Sequence, residues 1–262
     1  MSESIFLEQA GGFMPTAHAS GPWDPQALHG GAAAALITGA LERVEPGSEL
    51  PIARLSFELL RPVPYQPLTL ATRVIREGRR VQELACEMHA GDRLICRAGA
   101  LRVQPIAADV PAPPPPPGDR DMPGPQAGAA VRFALDNPDR DSFAASAMEM
   151  RWLDDHRAPG PGRVWMRLRH PVVPGEQPSP LARLAASADF GNGVGHALPF
   201  DEFLFINADL SVHLHRLPRG EWIGLDARTV LTPGGTGLAE SVLHDTEGPV
   251  GRAFQSLVVS RR

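Results

Sequence analysis

From Gly30 to Val44 apolar residues return at helical spacing, with Leu36, Ile37, Ala40, Leu41 and Val44 on one stripe and Ala32 to Ala35 leaving room for a close neighbour. This predicts a helix. A short strand is expected before it, near Ile5–Gln9. After it come strand-like runs at Ile52–Leu60, Leu68–Arg76, Val81–His89 and Arg93–Val103. Their connections are turn-like: Arg61-Pro62-Val63-Pro64, Glu77-Gly78 and Ala90-Gly91-Asp92. The expected unit is one helix followed by an antiparallel meander.

The same order returns further on. Strands are expected at Ala145–Leu153 and Arg163–His170. Ser179-Pro180 then supplies an N-cap and a first-position proline for a helix from Leu181 to Asp189, whose Leu181, Leu184, Ala185 and Ala188 share a face. Strands follow at Phe203–His215, Trp222–Leu231, Leu238–His244 and Val250–Ser260. Gly191 to Gly195 does not follow a strand and open a helix, as a dinucleotide site requires, so it reads as a flexible loop. Between the halves, Pro111 and Pro113 through Pro117 can neither pair in a sheet nor continue a helix, which makes this stretch a semi-rigid linker. The expected division is a first repeat over 1–107, a linker over 108–130 and a second repeat over 131–262. Duplication is also visible residue by residue. Arg54-Leu55-Ser56-Phe57-Glu58-Leu59-Leu60-Arg61 and Asp209-Leu210-Ser211-Val212-His213-Leu214-His215-Arg216 share Leu, Ser, Leu and Arg at the same offsets.

Composition narrows the field of partners. A length of 262 residues suits two related halves. All 25 basic residues are Arg, a mark of GC-rich coding more than of a binding function, and the net charge of −5 gives no long-range attraction to nucleic acid or an anionic membrane. Cys86 and Cys96 read as buried thiols. Met-Ser-Glu-Ser at the start has no basic region or apolar run, and no stretch approaches ~18 uninterrupted apolar residues, so a cytoplasmic location without a membrane span is expected.

Gly-x-Ser-x-Gly, a Walker loop and Cys-x-x-Cys are all missing, which disfavours a serine hydrolase, a nucleotide hydrolase and a zinc ribbon. Three polar residues in or at the end of apolar strands of the second copy remain: Asp209, Thr232 and Gln255. The first copy has Arg54 and, roughly, Gly78 and Gly99 at those places. A carboxylate, a hydroxyl and an amide thus belong to the second copy alone.

His29-Gly30-Gly31 opening the first helix, Leu59-Leu60-Arg61-Pro62, and Asp209 through His215-Arg216 followed by Glu221-Trp222 resemble the acyl-CoA thioesterase II family. The resemblance spans nearly the whole chain outside the Pro-rich stretch and residues 131–145. It implies an α+β double hotdog, two helix-plus-antiparallel-sheet repeats joined edge to edge as a pseudo-dimer, and it is compatible with a homo-oligomer. The implied reaction is hydrolysis of acyl-CoA to free CoA and a carboxylic acid, with no metal and no organic cofactor. In that family an Asp, a Thr or Ser, and a Gln hold and activate a water; by position these map to Asp209, Thr232 and Gln255, with Thr229 an alternative hydroxyl. Backbone N–H groups around His29, Gly30 and Gly31 would receive the thioester carbonyl, and some of the arginines the CoA phosphates.

Two rival readings follow from the same residues. Strict alternation puts Asp209, Ser211, His213 and His215 on one strand face, looking toward the pseudo-dimer cleft or solvent. Asp209, His213 and His215, with Glu221 beyond, resemble a cupin-like metal set, although the spacing from His-x-His to Glu is longer than that motif favours. The other rival is a hotdog module that binds acyl-CoA without hydrolysing it, since the fold survives loss of the water-activating set.

Overall fold

A computed structural model describes residues 4–22, 24, 26–46, 48–105, 122–133 and 140–262. The Pro-rich run at 111–117 lies outside these. In chain order the elements are β1 (Phe6–Gln9), β2 (Gly12–Pro15), α1 (Gly30–Glu42), β3 (Ile52–Leu59), β4 (Thr69–Arg76), β5 (Val81–Ala90), β6 (Arg93–Val103) and β7 (Ala129–Ala130). They continue with β8 (Met148–Trp152), β9 (Gly162–Leu168), α2 (Pro180–Ala188), α3 (Gly191–Val194), β10 (Phe203–Asn207), β11 (Asp209–Leu214), β12 (Ile223–Leu231), β13 (Thr236–Asp245) and β14 (Gly248–Arg261).

Among the described residues, twelve strands form one antiparallel sheet in the order β4, β5, β6, β3, β11, β14, β13, β12, β9, β8, β7, with β10 also paired to β14. The first four strands of that order mirror the next four. At the seam, β3 and β11 pair with Ser56 directly opposite Ser211. These serines are equivalent residues of the duplicated stretch, so the pseudo-twofold axis passes between them. This is the α+β double hotdog that the sequence resemblance implies.

Both long helices cover one face of the sheet and pack against each other. Small residues permit the contact: Ala32, Ala33, Ala35, Ala182, Ala185 and Ala186 are all buried, and a Cβ on Gly31 would lie 2.5 Å from the Ala186 carbonyl oxygen. The helices are antiparallel, because His29 at the start of α1 meets Asp189 at the end of α2, while Ser179 at the start of α2 meets Glu42 at the end of α1.

Each repeat carries a one-residue bulge at the same place. Pairing steps from Ile52↔Arg102 to Arg54↔Leu101 in the first repeat, and from Asn207↔Leu257 to Ser211↔Phe254 in the second. Such an insertion reverses which face the following side chains occupy.

Three local readings change. Gly191–Val194 is a short helix that continues α2 after a break, not a flexible loop. The strand expected from Ala145 begins at Met148, after a π-helical turn at Phe143–Ala147 capped by Ser142, whose Oγ accepts the Ala145 N–H at 3.0 Å. Residues 122–130 lie against the second repeat: Trp165 Nε1–H donates to the Pro123 carbonyl at 2.6 Å, and β7 pairs with β8. Cys86 and Cys96 are free and buried, and burial pushes both thiols up to about 12.

Candidate active site

The meeting of α1's first turn with α2's last residue builds a polar cluster inside an apolar interior. Asp189 closes α2 as its C-cap. A carboxylate there opposes the helix dipole, so it needs donors from elsewhere. His29 Nδ1 lies 3.0 Å from Asp189 Oδ2, and Asn207 Nδ2–H donates to Asp189 Oδ1 at 2.8 Å. Gly31 N is also 3.0 Å from His29 Nδ1. A bare Nδ1 would face the carboxylate lone pair to lone pair, so we place the proton on Nδ1, pointing at Asp189, with the Gly31 N–H directed to the same carboxylate. Burial alone would raise the Asp189 carboxyl, but the His29, Asn207 and Gly31 donors outweigh it and hold the group below the usual aspartate range.

Gln255 joins the cluster from β14. Its Oε1 accepts the Asn192 N–H at 2.9 Å, and its Nε2–H donates to the Asp189 carbonyl at 3.0 Å. One buried amide therefore pins both sides of the break between α2 and α3. Glycines are required by close approach: a Cβ on Gly30 would sit 2.7 Å from Asp189 Oδ2, and one on Gly191 would sit 2.9 Å from Gln255 Oε1. Phe190 stacks on the His29 ring at 4.3 Å between centroids and Phe143 lies at 5.1 Å, which keeps the imidazole in a dry wall.

Of the residues expected from sequence, His29, Gly30, Gly31 and Gln255 come together here. Asp209 and Thr232 do not. Because of the bulge Asn207 faces the helices and Asp209 the outer surface of the sheet, where its Oδ1 accepts the Ser256 N–H at 2.6 Å. Asp209 thus satisfies a backbone donor freed by the bulge. Thr232 lies exposed in the β12–β13 turn, its hydroxyl 2.9 Å from Thr236 Oγ1. The alternative, Thr229, is one strand beyond Ala239 from Gln255 in a single cross-strand row, and its buried hydroxyl has no partner among the described residues. His213 and His215 are exposed, and among the described residues no three His, Cys, Asp or Glu side chains converge as a metal site would require.

The sequence carried two overlooked signals. An acid ending a helix is electrostatically misplaced unless something receives it. Asn207 also interrupts Phe205-Ile206 one residue before the bulge, where alternation gives no warning.

At the other end of the helix pair the construction recurs with different residues. Ser179 Oγ–H donates to Glu42 Oε2 at 2.6 Å, and burial raises the Glu42 carboxyl despite that bond. A cavity of about 470 Å³ opens beside this pair. By strand register, Ile52 stands where Asn207 stands, and Ala100 where Gln255 stands; Gly99 corresponds to Phe254, one position from the expected match. The first repeat thus lacks both amides.

Residues 19–103 match the family model of the acyl-CoA thioesterase N-terminal domain, and residues 107–259 that of the acyl-CoA thioesterase C-terminal domain. No curated protein sequence matches the chain. Among solved structures, a tesB protein of Mycobacterium avium subspecies paratuberculosis is 17% identical, with a TM-score of 0.66 over 89% of this chain and 88% of that one. An acyl-CoA thioesterase II, TesB2, from Mycobacterium marinum is 18% identical, with a TM-score of 0.63 over 90% of each chain. A protein of unknown function with a hot dog fold from Alicyclobacillus acidocaldarius is 16% identical, with a TM-score of 0.70 over 98% of this chain and 95% of that one. At such identities the likeness is one of fold.

Proposed function

Since this chain belongs to the acyl-CoA thioesterase family, we propose that it hydrolyses acyl-CoA at the cluster formed by Asp189, Asn207, Gln255 and the start of α1. The observation that carries this reading is a buried carboxylate held ionised against the first turn of a helix. Asp189 takes a proton from a water that Asn207 and Gln255 help to hold, and the resulting hydroxide attacks the thioester carbon. The carbonyl oxygen becomes an oxyanion received by N–H groups at the N-terminus of α1, around Gly30, where the helix dipole favours negative charge. Collapse expels the thiolate, which recovers the proton, leaving CoA and a carboxylic acid. The steps draw on these side chains, the backbone N–H groups of α1 and one water.

The test is release of thiol from acyl-CoA of short, medium and long chains, with Asp189→Asn alongside. Removing a positioned base costs about a hundredfold to ten-thousandfold, and the loss should fall on kcat with KM little changed. The pH profile checks the same group: with its carboxyl below the usual aspartate range, the acid limb of kcat/KM should lie below ~pH 4. Near-normal turnover in the variant would remove Asp189 from the mechanism.

The His29 to Asp189 contact also supports a second reading. An imidazole whose Nδ1 is held by a carboxylate leaves Nε2 to carry a proton, which suits loss or addition of water within an acyl thioester. In that case no thiol is released, and the absorbance of an enoyl thioester changes instead. Binding of CoA without either signal would identify a non-catalytic module.

A further inference from the structure

Three arginines that form no ion pair among the described residues meet at one end of the sheet. Arg61, Arg93 and Arg97 line an open cavity of about 670 Å³ at the β5–β6 hairpin, with Leu60, Leu94 and a single carboxylate, Asp92. Among the described residues none of the three guanidinium groups has an ion-pair partner, and of the three Arg61 has a hydrogen bond, a long one of 3.3 Å to the Leu94 carbonyl. Elsewhere on the sheet, Arg73, Arg151, Arg163, Arg167, Arg216 and Arg228 each sit within 3.4 Å of a carboxylate. Three guanidinium groups free of ion pairs thus share this cavity, with Glu58 and Glu87 standing opposite Arg97 on the neighbouring strands.

Its position is informative. The segment from Leu59 to Val63 is tied at both ends to the candidate active site. Leu59 N–H donates to the carbonyl of Ala208, the neighbour of Asn207, at 2.9 Å, and the Val63 carbonyl accepts from Leu28, the neighbour of His29, at 2.8 Å. Arg61 is the midpoint of that segment, so its backbone is two residues, at most ~7 Å of chain, from each anchor. A guanidinium reaches further still and presents a planar fork suited to phosphate oxygens.

We propose that Arg61, Arg93 and Arg97 form the site for the phosphate groups of CoA, leaving the flexible pantetheine arm to carry the thioester to Asp189. This rests on the thioesterase reading above. The ligand chemistry is a polyanionic phosphate, and the site makes it a determinant of KM and not of kcat.

The experiment uses the intact protein and two substrates with the same acyl group, one on CoA and one on N-acetylcysteamine, which has the thioester but no phosphate. Arg61→Gln, Arg93→Gln and the double variant are compared with Arg79→Gln, an exposed arginine outside the cavity that matches the charge change. Each cavity variant should raise KM for the CoA substrate about tenfold with kcat retained, and should leave the N-acetylcysteamine substrate and the Arg79→Gln protein unaffected. The salt dependence of KM should weaken in the double variant. Adenosine 3′,5′-bisphosphate should compete with acyl-CoA in the wild type, whereas pantetheine should not. An unchanged KM for acyl-CoA, or an equal rise for both substrates, overturns the proposal while leaving hydrolysis intact. Should the protein release no thiol, calorimetry with CoA itself decides: binding lost in the double variant upholds the arginine site although the reaction assignment fails, and binding absent or unchanged rejects it.

Discussion

Asp209 and Asp189 show how little residue type says without its surroundings. Both are aspartates beside an asparagine-bearing strand, yet one meets a helix start in a dry interior and the other accepts a single backbone N–H on the outer face. Replacements should separate these roles. Asp209→Asn keeps an acceptor for Ser256 N–H, whereas Asp209→Ala removes it, so the alanine variant should be less stable than the asparagine variant by about 1 kcal/mol. Both should retain turnover, measured beside their chemical denaturation curves. Strong loss of turnover in Asp209→Asn would return the general base to the position that the family resemblance pointed to. The identity of Gln255 was legible because an amide in an otherwise apolar strand demands buried partners. Asn207 was hidden for a physical reason: a single inserted residue shifts the phase of the strand, and the insertion is written in no residue type.

At the scale of elements, the helices and strands followed from periodicity to within a few residues, since each is long and has one apolar face. What periodicity could not give is how the two helix ends are finished. The end of α2 is closed by Asp189 and held by Gln255. The end of α1 is closed by Arg102, buried on β6, whose guanidinium donates to the Val44 carbonyl at 2.8 Å and to Gln82 Oε1 at 2.9 Å. Burial lowers the Arg102 pKa, with Glu45 and Glu42 opposing. One repeat thus uses a cation to seal its helix and the other places an anion there. Arg102→Ala should leave helix carbonyls and Gln82 unpaired inside the fold. We expect it to cost about 3 kcal/mol, read as a lower denaturation midpoint at unchanged slope. A change within ~0.5 kcal/mol, the range of ordinary surface substitutions, would show that the cap is dispensable.

For the molecule as a whole, the sheet is continuous across the seam and the helices of the two halves share one interior, so the halves should unfold together. Calorimetric and van't Hoff enthalpies are expected to agree; two resolved transitions would refute this. Acid should be the sensitive direction. Asp245 is deeply buried; burial alone would raise its carboxyl, but Arg216 and the Arg219 and Glu247 N–H groups hold it below the usual aspartate range. A group with a lowered folded pKa contributes its full stabilisation above its unfolded value of ~4 and loses it as pH falls through the folded value. Asp189 acts in the same sense, and Glu42, raised by burial, in the opposite one. Stability should therefore fall below ~pH 4, and less steeply in Asp245→Asn, which is already destabilised at neutral pH.

The symmetric register at Ser56 and Ser211 bears on partner choice. As the chain stands, Asp209 faces Glu58 and His213 faces Arg54 across the seam. If either strand met a copy of itself in the same register, Arg54 would face Glu58, or Asp209 would face His213; the first pairing sets opposite charges against one another, and the second takes Asp209 away from Glu58. Directly opposed charges on neighbouring strands differ by roughly 0.2–1 kcal/mol per pair according to sign. The local electrostatics of the seam thus favour like joining like, between molecules, over the union found within one. Covalent connection reverses that preference, because a tethered partner is present at millimolar effective concentration whatever the protein concentration. Severed in the segment between the repeats, the two pieces would be free to sort by charge, and the asymmetric site, which needs one helix start and one helix end from different halves, would be diluted among symmetric pairs that lack it.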